Sequence, residues 1–215
     1  MKGLLIKDWK IILTQKNVIF IVLGICFAFL IKGQNVENVV TYATAMLSLL
    51  VTSTISYDEM DNGMGFLFTL PISRKKYVLE KYTFSFLMAG STSFLGNLAA
   101  MAIIIAKSAP YSLQVFLTGL FSSLAVAILM ITILIPVQLK FGSEKGRIVL
   151  FMISGCILAI GYLCKKAAEI FSVDLLGWLQ GLGQTEVFVY IGVLLAVSLG
   201  ISYQISVAAM QKKQF

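Results

Sequence analysis

Six apolar segments without a charged residue, 17–31, 39–56, 82–106, 115–139, 148–163 and 187–209, dominate this 215-residue chain. Crossing about 30 Å of hydrocarbon at 1.5 Å per residue takes about 20 residues in a helix. The third, fourth and sixth segments meet that length with ease. The first and fifth are short and rely on flanking Lys16, Lys32, Arg147 and Lys165, whose charged ends can snorkel to the interface. Hydrophobic residues make up 59% of the chain and charged ones 13%, against about 25% charge in a soluble domain. Lipid is therefore the solvent for most side chains. The expectation is an all-α, polytopic membrane protein with six transmembrane helices in one domain, 1–215.

Charge sets the orientation. With the N-terminus inside, every basic residue except Lys32, Lys107, Lys165 and Lys166 falls in the inner pieces 1–16, 57–81, 140–147 and 211–215. Such an excess on one side of short loops places both termini in the cytoplasm. The same clustering between apolar runs argues against nucleic acid as the partner of a chain with net charge +7. No small-residue cleavage site follows the first apolar run, which is read as a retained span.

The chemistry the sequence lacks is informative. It has no His, and Cys26, Cys156 and Cys164 do not have metal-ligand spacing. No ionisable residue lies inside an expected span, so self-powered ion coupling has no relay. A phosphate-cradling G-x-x-x-x-G-K-[ST] loop is missing, and Ser53, Ser93 and Ser154 have no His base. No catalytic, cofactor-binding or metal-binding residue is therefore assigned. The hydroxyls and amides in the spans read first as helix-to-helix glue. Ser53, Asn97 and Trp178 are the candidates for a pathway or dimer interface, Asn97 being the only Asn well inside a long span.

Three stretches outside the spans are patterned. In 1–16, Leu5, Trp9, Ile12 and Leu13 share one helical face, with Gly3, Lys7, Lys10 and Thr14 opposite, as in a helix lying in the membrane plane. In 167–183, Phe171, Leu175, Trp178, Leu179 and Leu182 recur at helical spacing, interrupted by glycines. That pattern fits an outer re-entrant segment or a plain loop. In 57–81, Tyr57, Met60, Met64, Leu67 and Phe68 form an apolar face ending before Pro71, and Ser73 is placed to cap the next helix. Asp58, Glu59, Asp61 and Glu80, with Arg74, Lys75, Lys76 and Lys81, make this a polar docking surface carrying apolar residues, which calls for a partner.

The loop has the form E-x-x-x-G-x-x-x-x-x-x-L-P-[IV]-S-R-x-x-Y-[VI]-x-x-K, met by Glu59, Gly63, Leu70, Pro71, Ser73, Arg74, Tyr77, Val78 and Lys81. With the basic N-terminal helix and six spans, it resembles the permease subunits of type-2 ABC transporters. The resemblance implies a cytoplasmic coupling helix in 57–81 that docks into a separate ATPase subunit, with 140–147 as a second contact. The docking residues it implies are Asp58, Glu59, Met60, Gly63, Met64, Leu67, Leu70, Pro71, Arg74 and Lys145. It further implies a second permease copy or homologue, ATP and Mg bound by the ATPase rather than by this chain, and a bacterial plasma membrane. Small members of the family, among them the phenol-soluble modulin exporter, suggest export of amphipathic peptide or another lipophilic cargo. The rival readings are a non-transporting membrane scaffold or, less in keeping with the residues, a lipid-modifying enzyme.

Overall fold

The computed structural model describes residues 2–31, 35–60, 63–106, 112–170 and 183–213, which are helical with short connections and no strand. Eight helices follow in order: α1 (Lys2–Thr14), α2 (Lys16–Ile31), α3 (Val36–Ser48), α4 (Leu50–Glu59), α5 (Gly63–Thr69), α6 (Arg74–Ala106), α7 (Leu113–Ile170) and α8 (Gln184–Lys212). Helix is what an apolar solvent demands, because each backbone N–H and C=O must find its partner within the segment.

Four stretches are long and apolar enough to cross a membrane: Val36–Glu59 (α3 with α4), Arg74–Ala106, Leu113–Gly142 and Glu186–Lys212. The α1–α2 pair, bent by 63°, makes a fifth if taken as one span. The structure thus supports four or five of the six expected spans. Length is the reason: α2 has only 16 residues, about 24 Å of helix. Segment 148–163 continues α7 as helix but does not pass the same test among the described residues. The re-entrant segment expected at 167–183 lies, from 171 to 182 and including Trp178, outside the described residues.

At 33 residues, or about 50 Å, α6 exceeds the hydrocarbon thickness by several turns. Its charged N-terminal quarter, from Arg74 to Lys81, extends beyond the apolar part that begins at Tyr82. Ser73 caps it as expected, its Oγ accepting from the Lys76 N–H at 3.3 Å. α7 breaks at Gly142, whose φ of +77° is a conformation that side-chain-bearing residues seldom adopt.

One core cluster gathers Leu4, Ile55, Tyr77, Val78, Ile135, Leu139 and Met210 from α1, α4, α6, α7 and α8. Its membership shows that the N-terminal helix, the first turns of α6 and the last turns of α8 meet at one end of the bundle. The outward faces of α2 and α8 expose Phe20, Phe27, Val193, Leu194 and Val197, side chains that suit lipid contact.

Candidate functional site at the basic end of the bundle

α1 buries a stripe four residues apart, Leu4, Asp8 and Ile12, so a carboxylate sits in the middle of its packed face. On α6, Tyr77 and Lys81 are one turn apart and both have no exposed surface. Lys81 Nζ donates to Asp8 Oδ2 at 2.5 Å and to Thr54 Oγ1 at 3.1 Å, and lies 3.0 Å from Asp58 Oδ2. Asp58, on α4, also accepts from Tyr77 Oη at 2.9 Å and from Lys7 Nζ. Lys7 Nζ is 3.2 Å from Asp8 Oδ1 as well. Glu80 completes the cluster, fully buried, with Oε2 3.9 Å from Lys81 Nζ.

Three helices are thereby tied through charge that is buried except at the partly exposed Lys7. Taking such ions out of water is costly, and only mutual pairing and hydrogen bonding offset it. Lys7 shows the balance in α1, which stands at 63° to α2 and apart from the four long spans. Burial alone would lower its pKa, but the hydrogen bond and charge of Asp58, with those of Asp8, outweigh it and hold Lys7 above its ordinary value.

α5 lies over this cluster. It is the short amphipathic helix expected before Pro71, and it packs Met64 and Leu67 into the core. The expected apolar face does not run continuously through it, because Met60 takes an extended conformation (ψ 144°) that ends α4 and restarts the helical phase. Tyr57 and Met60 are consequently exposed. Phe66, absent from the sequence-derived set, is the most exposed large apolar side chain of α5 at 74%, and Leu70 stands out beside it. A cleft of about 520 Å³ between α1, α4 and α5 is lined by Gly3, Lys7, Tyr57, Gly63, Phe66 and Leu70 among others.

The acids of the 57–81 segment were expected on a polar surface; the structure instead turns Asp58 and Glu80 inward. The physical reason is Lys81, which once buried needs carboxylates around it. Glu59 stays partly exposed, where Lys213 Nζ reaches its Oε1 at 2.7 Å. A Cβ on Gly142 would come 3.5 Å from Glu59 Oε2, so the break in α7 lies against the same carboxylate. Arg74 Nη1 donates to the Gln211 carbonyl at 2.5 Å, and Lys145 is exposed.

Ser53 and Asn97, singled out as pathway or interface candidates, have partners within the chain. Ser53 Oγ donates to Gln15 Oε1 at 3.0 Å and to the Leu50 carbonyl at 2.5 Å. Asn97 is 1% exposed and donates to the Ser93 carbonyl and to Ser123 Oγ, joining α6 to α7. The approach is close, since a Cβ on Gly119 would be 2.5 Å from Asn97 Oδ1.

Most residues of the sequence motif now have a contact, while Leu70 and Pro71 stay exposed. Gly63 lets the chain turn past α4, where a Cβ would meet the Asp58 carbonyl oxygen at 2.9 Å. Ser73 caps, Val78 fills the core, and Tyr77 and Lys81 hold Asp58. A family profile described as ABC-2 family transporter protein matches residues 3–211, a span that takes in the motif and every helix of the bundle. The chain belongs to the ABC-2 transporter family. No curated protein and no solved structure matches it. As an ABC-2 family membrane protein it is a permease component of an ABC transporter, a kind of subunit that is generally non-catalytic. No group of three or more potential metal ligands occurs among the described residues.

Sequence reasoning missed Asp8 and Phe66 as site residues, and it placed Lys81 on a polar surface where the structure buries it. A signal for Asp8 was present in the four-residue spacing of Leu4, Asp8 and Ile12, which sets it between two apolar side chains. Phe66 had no such signal, because its exposure depends on where α4 ends.

Proposed function

We propose that this chain is the membrane subunit of an ATP-driven exporter, working as a pair with a second copy or a homologue and driven by a separate ATPase subunit that binds ATP and Mg. The observation that carries this reading is α5. It rests on the core through Met64 and Leu67 and presents Phe66 outward, with Met60 before it and Leu70 after it also exposed. That core includes residues of α4, α6, α7 and α8, so a push on α5 is delivered to all four helices at once. Lys145, exposed after the break in α7, supplies the second contact. Both chain ends and α5 then face the cytoplasm, consistent with the basic clusters there. Amphipathic peptide or another lipophilic molecule is the cargo class that these apolar spans suit.

The structure directs where docking should be tested. Glu59 and Arg74 hold other parts of the chain, so their removal would mix folding with docking. Phe66→Ser and Leu70→Ser leave the core contacts in place. With the full chain and its ATPase co-reconstituted in vesicles, both variants should assemble in the membrane yet bind the ATPase at least tenfold more weakly. Unchanged ATPase binding by both variants would refute docking through α5. A scaffold without transport would instead show no nucleotide-dependent movement of any amphipathic peptide in the wild-type vesicles.

A further inference from the structure

α6 and α8 run in opposite directions and touch at two levels. At the basic end, Arg74 Nη1 donates to the Gln211 carbonyl at 2.5 Å. About two turns further along α6, Tyr82 Oη lies 2.9 Å from Ser206 Oγ, and its ring meets that of Tyr203 edge-on at 5.7 Å between centroids. An open groove of about 350 Å³ lies along this seam, lined by Lys75, Tyr203, Gln204, Val207, Ala208 and Gln211. Tyr203 and Val207, both half-buried, make its wall apolar, while Lys75, Gln204 and Gln211 are exposed and bring one ammonium and two amides to it. Among the described residues, the side chains of these three have no hydrogen bond or ion pair.

Gln204 is the informative member, because it interrupts the apolar span Glu186–Lys212. It lies about 12 Å along the helix from Lys212, near the depth at which lipid ester groups give way to hydrocarbon. An amide exposed there is costly unless a hydrogen-bonding partner meets it. Lys75 and Gln211 stand nearer the aqueous end of the same groove. No acidic residue lines it, and Arg74, Lys76 and Lys212 adjoin Lys75 and Gln211 in the chain. A second copy docked here face to face would bring the same cations together. We propose that the groove binds one acidic phospholipid from the leaflet at the basic end. Lys75 and the Gln211 amide hold its phosphate, the Gln204 amide donates to an ester carbonyl, and the acyl chains pass Tyr203 into the hydrocarbon.

Charge decides which lipid is preferred. A zwitterionic headgroup offers the same phosphate but carries its own ammonium into a field of Lys and Arg, whereas an acidic one does not. A lipid seated here touches α6 and α8 together and bridges a seam that the chain itself closes at only two levels. Because the groove exists only in the folded chain, the bound lipid stabilises the fold by mass action. This inference stands on the groove alone and does not depend on the export reading.

The test uses the full chain, delipidated in detergent micelles and titrated with phosphatidylglycerol or with phosphatidylcholine of the same acyl chains. Native mass spectrometry counts bound lipids and copies of the chain. The wild type should bind one phosphatidylglycerol about tenfold more tightly than phosphatidylcholine. The double variant Lys75→Gln with Gln204→Leu, altered only at exposed positions, should lose that preference while its lipid-free Tm stays within a few degrees of the wild type. Soluble glycerol phosphate at the same concentration should not displace the lipid. Equal wild-type affinity for the two lipids overturns the proposal, and that reading needs no variant to fold. Displacement by glycerol phosphate overturns it too, since the groove would then be a site for free anions. Wild-type lipid binding by the double variant is equally fatal; if that variant also separates into single copies, the groove belongs to a contact between chains.

Discussion

The chain solves the problem of buried polarity in two ways, at the basic end with ions and along the spans with neutral groups. At the basic end, α1, α4 and α6 are joined by Lys7, Asp8, Asp58 and Lys81, with Tyr77 and Thr54 filling the remaining hydrogen-bond positions. Along the spans, α6 meets α7 through Asn97, Ser93 and Ser123, and meets α8 through Tyr82 with Ser202 and Ser206. Elsewhere hydroxyls are satisfied locally, as where Thr44 Oγ1 donates to the Val40 carbonyl at 2.9 Å. Ions can be afforded where helices overhang the hydrocarbon and several charges converge. Isolated polar groups in the apolar stretch must be neutral and satisfied by a neighbour within reach.

The comparison can be broken by mutation, and the ionic end should give the largest effect. Lys81→Met leaves the buried Asp8 and Asp58 with only the partly exposed Lys7 as cation, a loss on the order of 3–5 kcal/mol. It should appear as failure to purify folded protein or as a collapse of thermal stability in nanodiscs. A loss below that of the span variants that follow would show that the charges are solvated rather than buried.

Gly119→Ala comes next. The added methyl would sit 2.5 Å from Asn97 Oδ1, so the α6–α7 contact must move apart, at about 1–3 kcal/mol. A double-mutant cycle with Asn97→Ala, read by chemical denaturation, should recover most of that loss because the clash is with the amide itself. Without such recovery, the α6–α7 spacing is set by other residues.

Tyr82→Phe should be milder. It deletes the hydroxyl that lies 2.6 Å from Ser202 Oγ and 2.9 Å from Ser206 Oγ, and Ser202 retains its bond to the Thr132 carbonyl at 2.7 Å. A cost of about 0.5–1.5 kcal/mol in the same denaturation assay is expected. The smallest stability effect belongs to Phe66→Ser, within about 0.5 kcal/mol, because the ring is mostly exposed. A Tm drop of many degrees there would mean that α5 is held by Phe66 as well as by Met64 and Leu67.

Much of the architecture was legible because hydropathy acts locally. The runs around Tyr82–Ala106 and Val115–Leu139 each exceed the length that forces a helix in lipid, and both are helical. The cap at Ser73 and the end of α5 before Pro71 were also readable, since each depends on a few consecutive residues. The face of α1 was less readable. An apolar moment through Leu5, Trp9, Ile12 and Leu13 points to one side, yet Leu4, Asp8 and Ile12 are packed, while Trp9 and Leu13 remain exposed. A charged residue at the centre of a packed face contradicts the hydropathy rule unless its counter-ion is known. That counter-ion is Lys81, distant in sequence.

The sequence by itself therefore determined the membrane as solvent, the helical class, the basic end, and a loop whose motif carries the family resemblance. These follow from short-range properties: run length, charge placement, and cap and turn residues. Only the tertiary structure decided that Asp58 and Glu80 face inward, that α1 is fastened by ions, and that Phe66 rather than Met64 is presented outward. Pairing energies between residues far apart in the chain determine those outcomes. A carboxylate is a surface group or a core group according to whether a buried ammonium stands beside it.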